Sequence, residues 1–312
     1  MNGEKPGLAG FFMWVVKVTL TYTAAEKDKG RTVHSVMRNE LSVSATMMRR
    51  LKLAGAISVS GVSVFTNYKL APGEVVEVDI AIAERPCDNL PEHGELDILF
   101  ENDGLLAVNK PSGILVHPSR SRYTGTLSNF VAGYLGVCHA VNRLDRDTSG
   151  VVLFAKNSYV KALASGALSA KEAKKEYLAL VSGKMSAQGT IDVPIKRLEE
   201  RNMLRVPSQD GQRAITHYET LHIFETVGRC ASLVRLRLET GRTHQIRVHC
   251  LHVGHPILGD KLYCSEESQS VSHSLGITAQ ALHAQLLGFV EPLSGKCLEI
   301  TAKAPFLDSI NS

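Results

Sequence analysis

The sequence predicts an α+β protein: a large mixed, mostly antiparallel sheet with few helices, preceded by a small α/β unit. Three observations carry this. Strand-length apolar or alternating runs recur from about residue 96 onward with few helical periods between them, which argues against a regular βαβ alternation. Asp103-Gly104 and the stretch Pro292-Leu293-Ser294-Gly295 sit between apolar runs, as hairpin turns do. A polar stretch around 84–94 holds Pro86 and Pro91, and proline suits neither a helix interior nor a central strand. Composition agrees: 312 residues, 44% hydrophobic and 21% charged, exclude a disordered, collagenous or coiled-coil chain. The expected division is an extension at 1–30, a small unit at 31–82, a linker at 83–95 and a large domain at 96–312.

Taken in order, the apolar run at 8–16 is shorter than the roughly 20 residues that cross a bilayer. It continues as Val16, Val18, Leu20 and Tyr22 alternating with Lys17, Thr19 and Thr21, which reads as a strand. Within the small unit, 35–40 reads as helix. Ser44 caps a second helix at 45–52, and Gly55 closes it. Short strands at 57–59 and 62–64 flank Ser60-Gly61, and 75–80 is a strand after a turn at 70–74. Arg49, Arg50 and Lys52 crowd onto the second helix. Charges alone would make that a solvated face. The order helix, loop, basic helix, Gly-x-Ile-x-Val-x-Gly and a closing Pro-Gly-Glu-x-Val nevertheless resembles the alpha-L RNA-binding domain first seen in a small-subunit ribosomal protein. That resemblance implies that Arg49, Arg50 and Lys52 contact RNA backbone, where cations supply salt-dependent affinity.

The large domain opens with strands at 96–100 and 105–108. Leu127, Phe130, Val131, Tyr134 and Leu135 recur at helical spacing, so 126–135 is an amphipathic helix ended by Gly136. A strand at 151–155 is followed by a helix that Asn157 caps and that runs to about 168. Strands follow at 177–181, 216–222, 234–238, 282–290 and 298–303.

Two polar clusters could carry chemistry. Asn142-Arg143-Leu144-Asp145-Arg146-Asp147-Thr148-Ser149-Gly150 brings a carboxylate between two arginines to the entry of an apolar strand. Functional groups sit well on such rigid edges, and a neighbouring arginine favours an ionised carboxylate. Gly241-Arg242-Thr243-His244-Gln245-Ile246-Arg247-Val248-His249 reads as a helix capped by Thr243, with His244 and Arg247 one turn apart on one face. His244, His249, His252 and His255 do not follow the i, i+4 spacing of helical zinc ligands, so no metal site is expected.

Together these clusters resemble the RluA-type pseudouridine synthase family, whose signature reads His-Arg-Leu-Asp-x-x-Thr-Ser-Gly. Val108-Asn109-Lys110-Pro111-Ser112-Gly113, Lys175-Glu176-Tyr177-Leu178-Ala179, the 241–249 segment and Gly254-His255-Pro256-Ile257-Leu258-Gly259-Asp260 match in the same order, and Leu282-His283-Ala284 also fits. The resemblance covers about 96–306. It implies an isomerase acting on RNA, with Asp145 as catalytic aspartate, Tyr177 as active-site tyrosine and Arg247 as the arginine paired with the aspartate. Arg143 would fill the space of a flipped base or grip phosphate, and Lys110, Arg242 and His244 would contact RNA. Such an isomerisation is neither redox nor net hydrolysis, so no cofactor and no metal are implied. One departure stands out: Asn142 replaces the family's histidine. Asparagine can support a backbone through hydrogen bonds but cannot titrate near neutrality.

The expected partner is RNA, with large-subunit ribosomal RNA first and transfer RNA second, and no membrane or obligatory protein partner. A non-catalytic RNA-binding or ribosome-assembly protein is the alternative that Asn142 favours and the intact Asp145 and Arg247 oppose. Six dispersed cysteines without a C-x-x-C pair point to free thiols in a reducing compartment, hence to the cytoplasm.

Overall fold

The computed structural model describes residues 19–84, 87–119, 122–199, 204–226 and 229–310. The apolar run at 8–16, the first residues of the strand read at 16–22, and Arg85 and Pro86 of the polar stretch lie outside them.

The small unit comprises β1 (Thr19–Thr23), α1 (Val33–Asn39), α2 (Ala45–Ala54), β2 (Ile57–Val59), β3 (Val62–Ser63) and β4 (Val75–Asp79). Its sheet has the order β1-β4-β2-β3. The local signals on α2 act as the residues suggest. The Ser44 hydroxyl accepts from the Met47 N–H at 3.2 Å, and Gly55 takes the left-handed conformation at φ +64°. One boundary moves. β1 pairs with β4 from Thr19↔Asp79 to Thr23↔Val75, so this unit begins well before residue 31. The cause is the alternation already visible there: Leu20 and Tyr22 turn inward onto the core while the threonines face out.

The large unit runs β5 (Ile98–Glu101), β6 (Leu105–Lys110), α3 (Leu127–Leu135), β7 (His139–Ala140), β8 (Ser149–Ala155), α4 (Ser158–Ser169), β9 (Lys174–Ser182), β10 (Gln188–Asp192), β11 (Ile195–Arg197), β12 (Arg205–Pro207), β13 (Ile215–Thr226), β14 (Arg229–Leu238), α5 (Gln245–His252), α6 (Glu266–Ser274), β15 (Leu282–Val290), β16 (Cys297–Thr301) and α7 (Phe306–Ile310). Its main sheet has the order β10-β13-β14-β9-β15-β8-β6-β5, with β16 on β15 and β7 on β8. β15 runs parallel to β8; the other pairings among the described strands are antiparallel. This is the mixed, mostly antiparallel sheet of an α+β fold.

β8 is buried at every position and sorts its side chains to two faces. Val151, Leu153 and Ala155 pack with Tyr159, Val160 and Ala164 of α4. Val152 and Phe154 pack with Leu127 and Val131 of α3, with Leu144 and with Tyr177. Gly150, the second residue of the strand, has φ +112°, and a Cβ there would collide with the Ala284 carbonyl of β15. Only glycine lets the two parallel strands close at this point.

The small unit shares the apolar cluster of α4, and the Tyr159 hydroxyl donates to the Leu41 carbonyl at 2.8 Å. The stretch read as a linker is pinned to the large unit. The Glu84 carboxylate accepts from the Ser158 N–H and hydroxyl, both at 2.9 Å, and lies 2.9 Å from His139 Nε2. Further on, Asn129 Nδ2 donates to the Leu90 carbonyl at 2.8 Å, and the Glu92 carboxylate accepts from the Gly125 N–H at 3.0 Å. No described helix is long and apolar enough to cross a membrane.

Candidate active site

Asp145 lies in the loop that feeds β8, and the loop is fastened on both sides of it. Asn142 clamps across β8: its Nδ2 donates to the Val151 carbonyl at 3.2 Å, and its Oδ1 accepts from the Leu153 N–H at 2.7 Å. Beyond Asp145, the Lys110 ammonium donates to the carbonyls of Pro111, Ile114 and Arg146, each at 2.8 Å. The Ser112 hydroxyl donates to the Asp147 carbonyl at 2.7 Å, and the Gly113 N–H to the Arg146 carbonyl at 2.9 Å.

This corrects the expectation for Lys110. Its side chain is fully buried and its three donors are spent on carbonyls, so it cannot reach RNA. Burial, opposed by Asp147 and Asp145, pulls its pKa down to about 8. The 108–113 segment builds the loop that carries the carboxylate.

Arg247 approaches from α5. Its Nη1 donates to Asp145 Oδ2 at 3.0 Å, while Nε and Nη2 grip Asp260 as a fork at 2.7 and 2.9 Å. Its guanidinium also stacks 4.8 Å above the Tyr263 ring centre. The Asp260 side chain is completely enclosed. Burial alone would raise its pKa, but the Arg247 hydrogen bonds and charge, with the N–H groups of Tyr263 and Leu262, hold it below the usual carboxylate range. Arg247 is pushed the other way: burial acts to lower its pKa, and Asp260 and Asp145 more than reverse that. Asp145 itself keeps 26% of its side chain open to the cleft.

Tyr177 stands on β9, opposite Ala284 of β15 and Leu236 of β14. It is partly buried, and burial followed by the Asp145 charge pushes its pKa up to about 12. It therefore keeps its proton at neutral pH, and its hydroxyl is no preformed base.

His244 is where the sequence reading of α5 shifts by one residue. Thr243 was the expected cap, but His244 holds that place at φ +57° and caps nothing with its side chain. Gln245 imposes this. Its Oε1 accepts from the Thr240 hydroxyl at 2.8 Å and the Arg242 N–H at 2.9 Å, while its Nε2 reaches the Ile215 carbonyl at 2.9 Å. A left-handed non-glycine residue costs of order 1–3 kcal/mol and marks an over-determined site. The conformation sets His244 Nδ1 2.9 Å from the Tyr263 hydroxyl and Nε2 3.7 Å from Asp145 Oδ2. Burial, with Arg247 and Arg205 and against Asp145, lowers its pKa and favours the neutral ring. His249 and His255 serve elsewhere. His249 lies between Thr216 Oγ1 at 2.9 Å and the Val193 carbonyl at 3.0 Å, and His255 sits 2.9 Å from the Ser182 carbonyl.

The cleft consists of two adjoining cavities of about 70 and 400 Å³. Both are lined by Arg143, Leu144, Asp145, Tyr177, Leu238 and Arg242. Arg143 is exposed at this cleft, and exposed Arg242 donates through Nε to the Arg213 carbonyl at 3.1 Å. The fold thus brings together Asp145, Tyr177, Arg247, Arg143, Arg242 and His244. It keeps Arg49, Arg50 and Lys52 apart on α2, where Arg49 and Lys52 are exposed and Arg50 is half-buried. The sequence reading assigned no role to Thr148, Asp260, Tyr263 or Gln280. Asp260 was legible only as the last residue of a family-like segment, and Tyr263 carried no signal.

Residues 104–252 match the family model described as RNA pseudouridylate synthase. A relative from Bacillus subtilis, an uncharacterized RNA pseudouridine synthase named YhcT, is 38% identical over 90% of this chain and 91% of its own length. The ribosomal large subunit pseudouridine synthase D of Zymomonas mobilis is 36% identical over 84% of this chain and 86% of its own. Among solved structures, human RNA pseudouridylate synthase domain containing 1 superposes with a TM-score of 0.59 at 28% identity, covering 70% of this chain and 89% of that one.

Proposed function

The chain belongs to the RNA pseudouridine synthase family, and on that premise we propose that it isomerises uridines of large-subunit ribosomal RNA with Asp145 as the reacting carboxylate. The activity is that of an isomerase on RNA. The ribose–N1 bond of a uridine breaks, the base turns, carbon 5 bonds to the ribose, the carbon 5 proton leaves and N1 gains a proton, so that substrate and product are isomers. The single observation that carries the assignment of Asp145 is its geometry: a part-open carboxylate in a cleft, on a loop tied down on both sides, with Arg247 donating to it at 3.0 Å. Such a carboxylate can act as nucleophile or as proton abstractor. Arg247 orients it. Tyr177 offers a ring face to a flipped uracil and a protonated hydroxyl. Arg143, exposed at the cleft, suits the gap that a flipped base leaves or a flanking phosphate.

Ribosomal RNA is preferred over transfer RNA because relatives named as large-subunit synthases align over most of the chain. The test is to map pseudouridines in cellular RNA with and without the gene. Sites missing from large-subunit ribosomal RNA, restored by the wild-type gene and not by Asp145→Asn, are expected. Sites missing from transfer RNA alone would move the substrate. No missing site would favour a non-catalytic RNA-binding role.

A further inference from the structure

Behind the Asp145–Arg247 pair lies a buried polar chain that returns to the loop it started from. Arg247 grips Asp260 with two donors. Gln280 Nε2 donates to Asp260 Oδ2 at 3.0 Å, and Gln280 Oε1 accepts from the Thr148 hydroxyl at 2.7 Å. Thr148 stands three residues after Asp145 on the same loop. Thr148, Gln280 and Asp260 are 3%, 6% and 4% exposed, so each bond is made away from water. Their directions are forced. An ionised carboxylate only accepts, so Gln280 must turn its NH₂ to Asp260 and its carbonyl to Thr148, whose hydroxyl must then donate. A flipped amide would set carbonyl against carboxylate. Gln280 sits just before β15, on a segment that packs beside the cleft through Leu282.

We propose that Gln280, through Thr148 and Asp260, is the positioning residue that locks the Arg247 clamp to the loop bearing Asp145. The inference rests on the assignment of Asp145 as the reacting carboxylate. Gln280 lies outside the cleft lining, and Thr148, which borders the cleft, has its hydroxyl hydrogen committed to Gln280. They set where Arg247 and Asp145 meet, and buried networks of this kind act as a unit.

The test uses the full chain, with Gln280→Met and Thr148→Val to remove the link, Thr148→Ser to keep the hydroxyl, and the double variant. Gln280→Met and Thr148→Val should each slow single-turnover pseudouridine formation on a large-subunit ribosomal RNA transcript by roughly tenfold at saturation, with RNA affinity within about threefold. Thr148→Ser should stay within about threefold of wild type, and the double variant should be no slower than the slower single variant. Unchanged rates, a loss that follows RNA affinity, or multiplying losses would each overturn the proposal. Urea unfolding of the same four variants gives a readout that needs no activity: the two removals should be non-additive in stability, and additivity would count against the link. A wild type that forms no pseudouridine would bring down the functional reading, while the stability cycle would still decide whether Gln280 and Thr148 form one unit.

Discussion

Arg247 spends one guanidinium on two carboxylates, and that division sets the balance of the site. Removing it strands the enclosed Asp260 without its strongest partner, a loss of about 3–5 kcal/mol for a buried pair. Arg247→Ala should therefore lose both activity and stability, seen together in a turnover assay and a urea melt. Asn142 makes the opposite case. Among the described residues its amide bonds to the backbone of β8, at Val151 and Leu153, so this geometry asks for no titrating group. Asn142→His should keep turnover within about an order of magnitude of wild type, since one ring nitrogen can replace either amide bond. A large gain would show that the asparagine cripples the natural chain. At this scale the sequence made legible which residues line the cleft, because the polar clusters that hold them fall in a recognisable order. Lys110 misled because a lysine beside a reactive loop reads as a solvent-facing cation. Only the fold shows three carbonyls closing around its ammonium.

The parallel seam between β8 and β15 has its own lock. His283 is fully buried, with Nδ1 2.8 Å from the Ser149 hydroxyl and Nε2 3.1 Å from the Ala302 carbonyl. A carbonyl only accepts, so Nε2 carries the proton, and in the neutral ring Nδ1 accepts from the Ser149 hydroxyl. Burial, partly offset by the Ala302 carbonyl, lowers its pKa to about 4. The folded value lies below the unfolded value of about 6.5, so the contribution is complete above pH 6.5 and is lost as pH falls toward 4. Urea unfolding across that window should show up to about 3 kcal/mol of pH dependence that His283→Gln removes. An unchanged slope in the variant would place the titration elsewhere. Elements were legible where a local signal exists: the Ser44 and Asn157 caps, the terminal glycines of α2 and α3, and the alternation of β14. α6 was missed because Glu-Glu-Ser-Gln-Ser-Val-Ser-His-Ser offers one apolar anchor. β10 to β12 were missed because they are three to five residues long and mostly polar. The one-residue shift at the start of α5 comes from Gln245 bonding across to β13, a long-range demand that spacing cannot announce.

The main sheet divides the molecule. Asp145 lies with the face that Val152, Phe154 and Tyr177 share, while the small unit joins α4 on the face of Val151 and Leu153. An RNA that engages both must pass around the sheet. The small unit should then add affinity without entering the chemistry. Arg49 and Lys52, one turn apart and exposed, are the residues to test. Replacing both with alanine should lower the log–log salt slope of RNA binding by roughly 0.7–0.9 for each phosphate no longer neutralised, with the saturating rate unchanged. An unaltered slope would make α2 a solvated face. Removing the whole unit is a different experiment, since it uncovers Tyr159 and its apolar neighbours. That docking was not legible in the sequence, where a proline-bearing polar stretch reads as a tether. Glu84, Leu90 and Glu92 become a strap only when Ser158, Asn129 and Gly125 arrive from elsewhere in the chain. We propose that Asp145 performs uridine isomerisation in large-subunit ribosomal RNA. Tritium release from a transcript labelled at uridine carbon 5 measures it directly. Wild type should release tritium to a plateau, and Asp145→Asn should release none while binding the transcript within about tenfold of wild type. Release by Asp145→Asn at the wild-type rate would remove Asp145 from the chemistry, and none from wild type would exclude this RNA as the substrate.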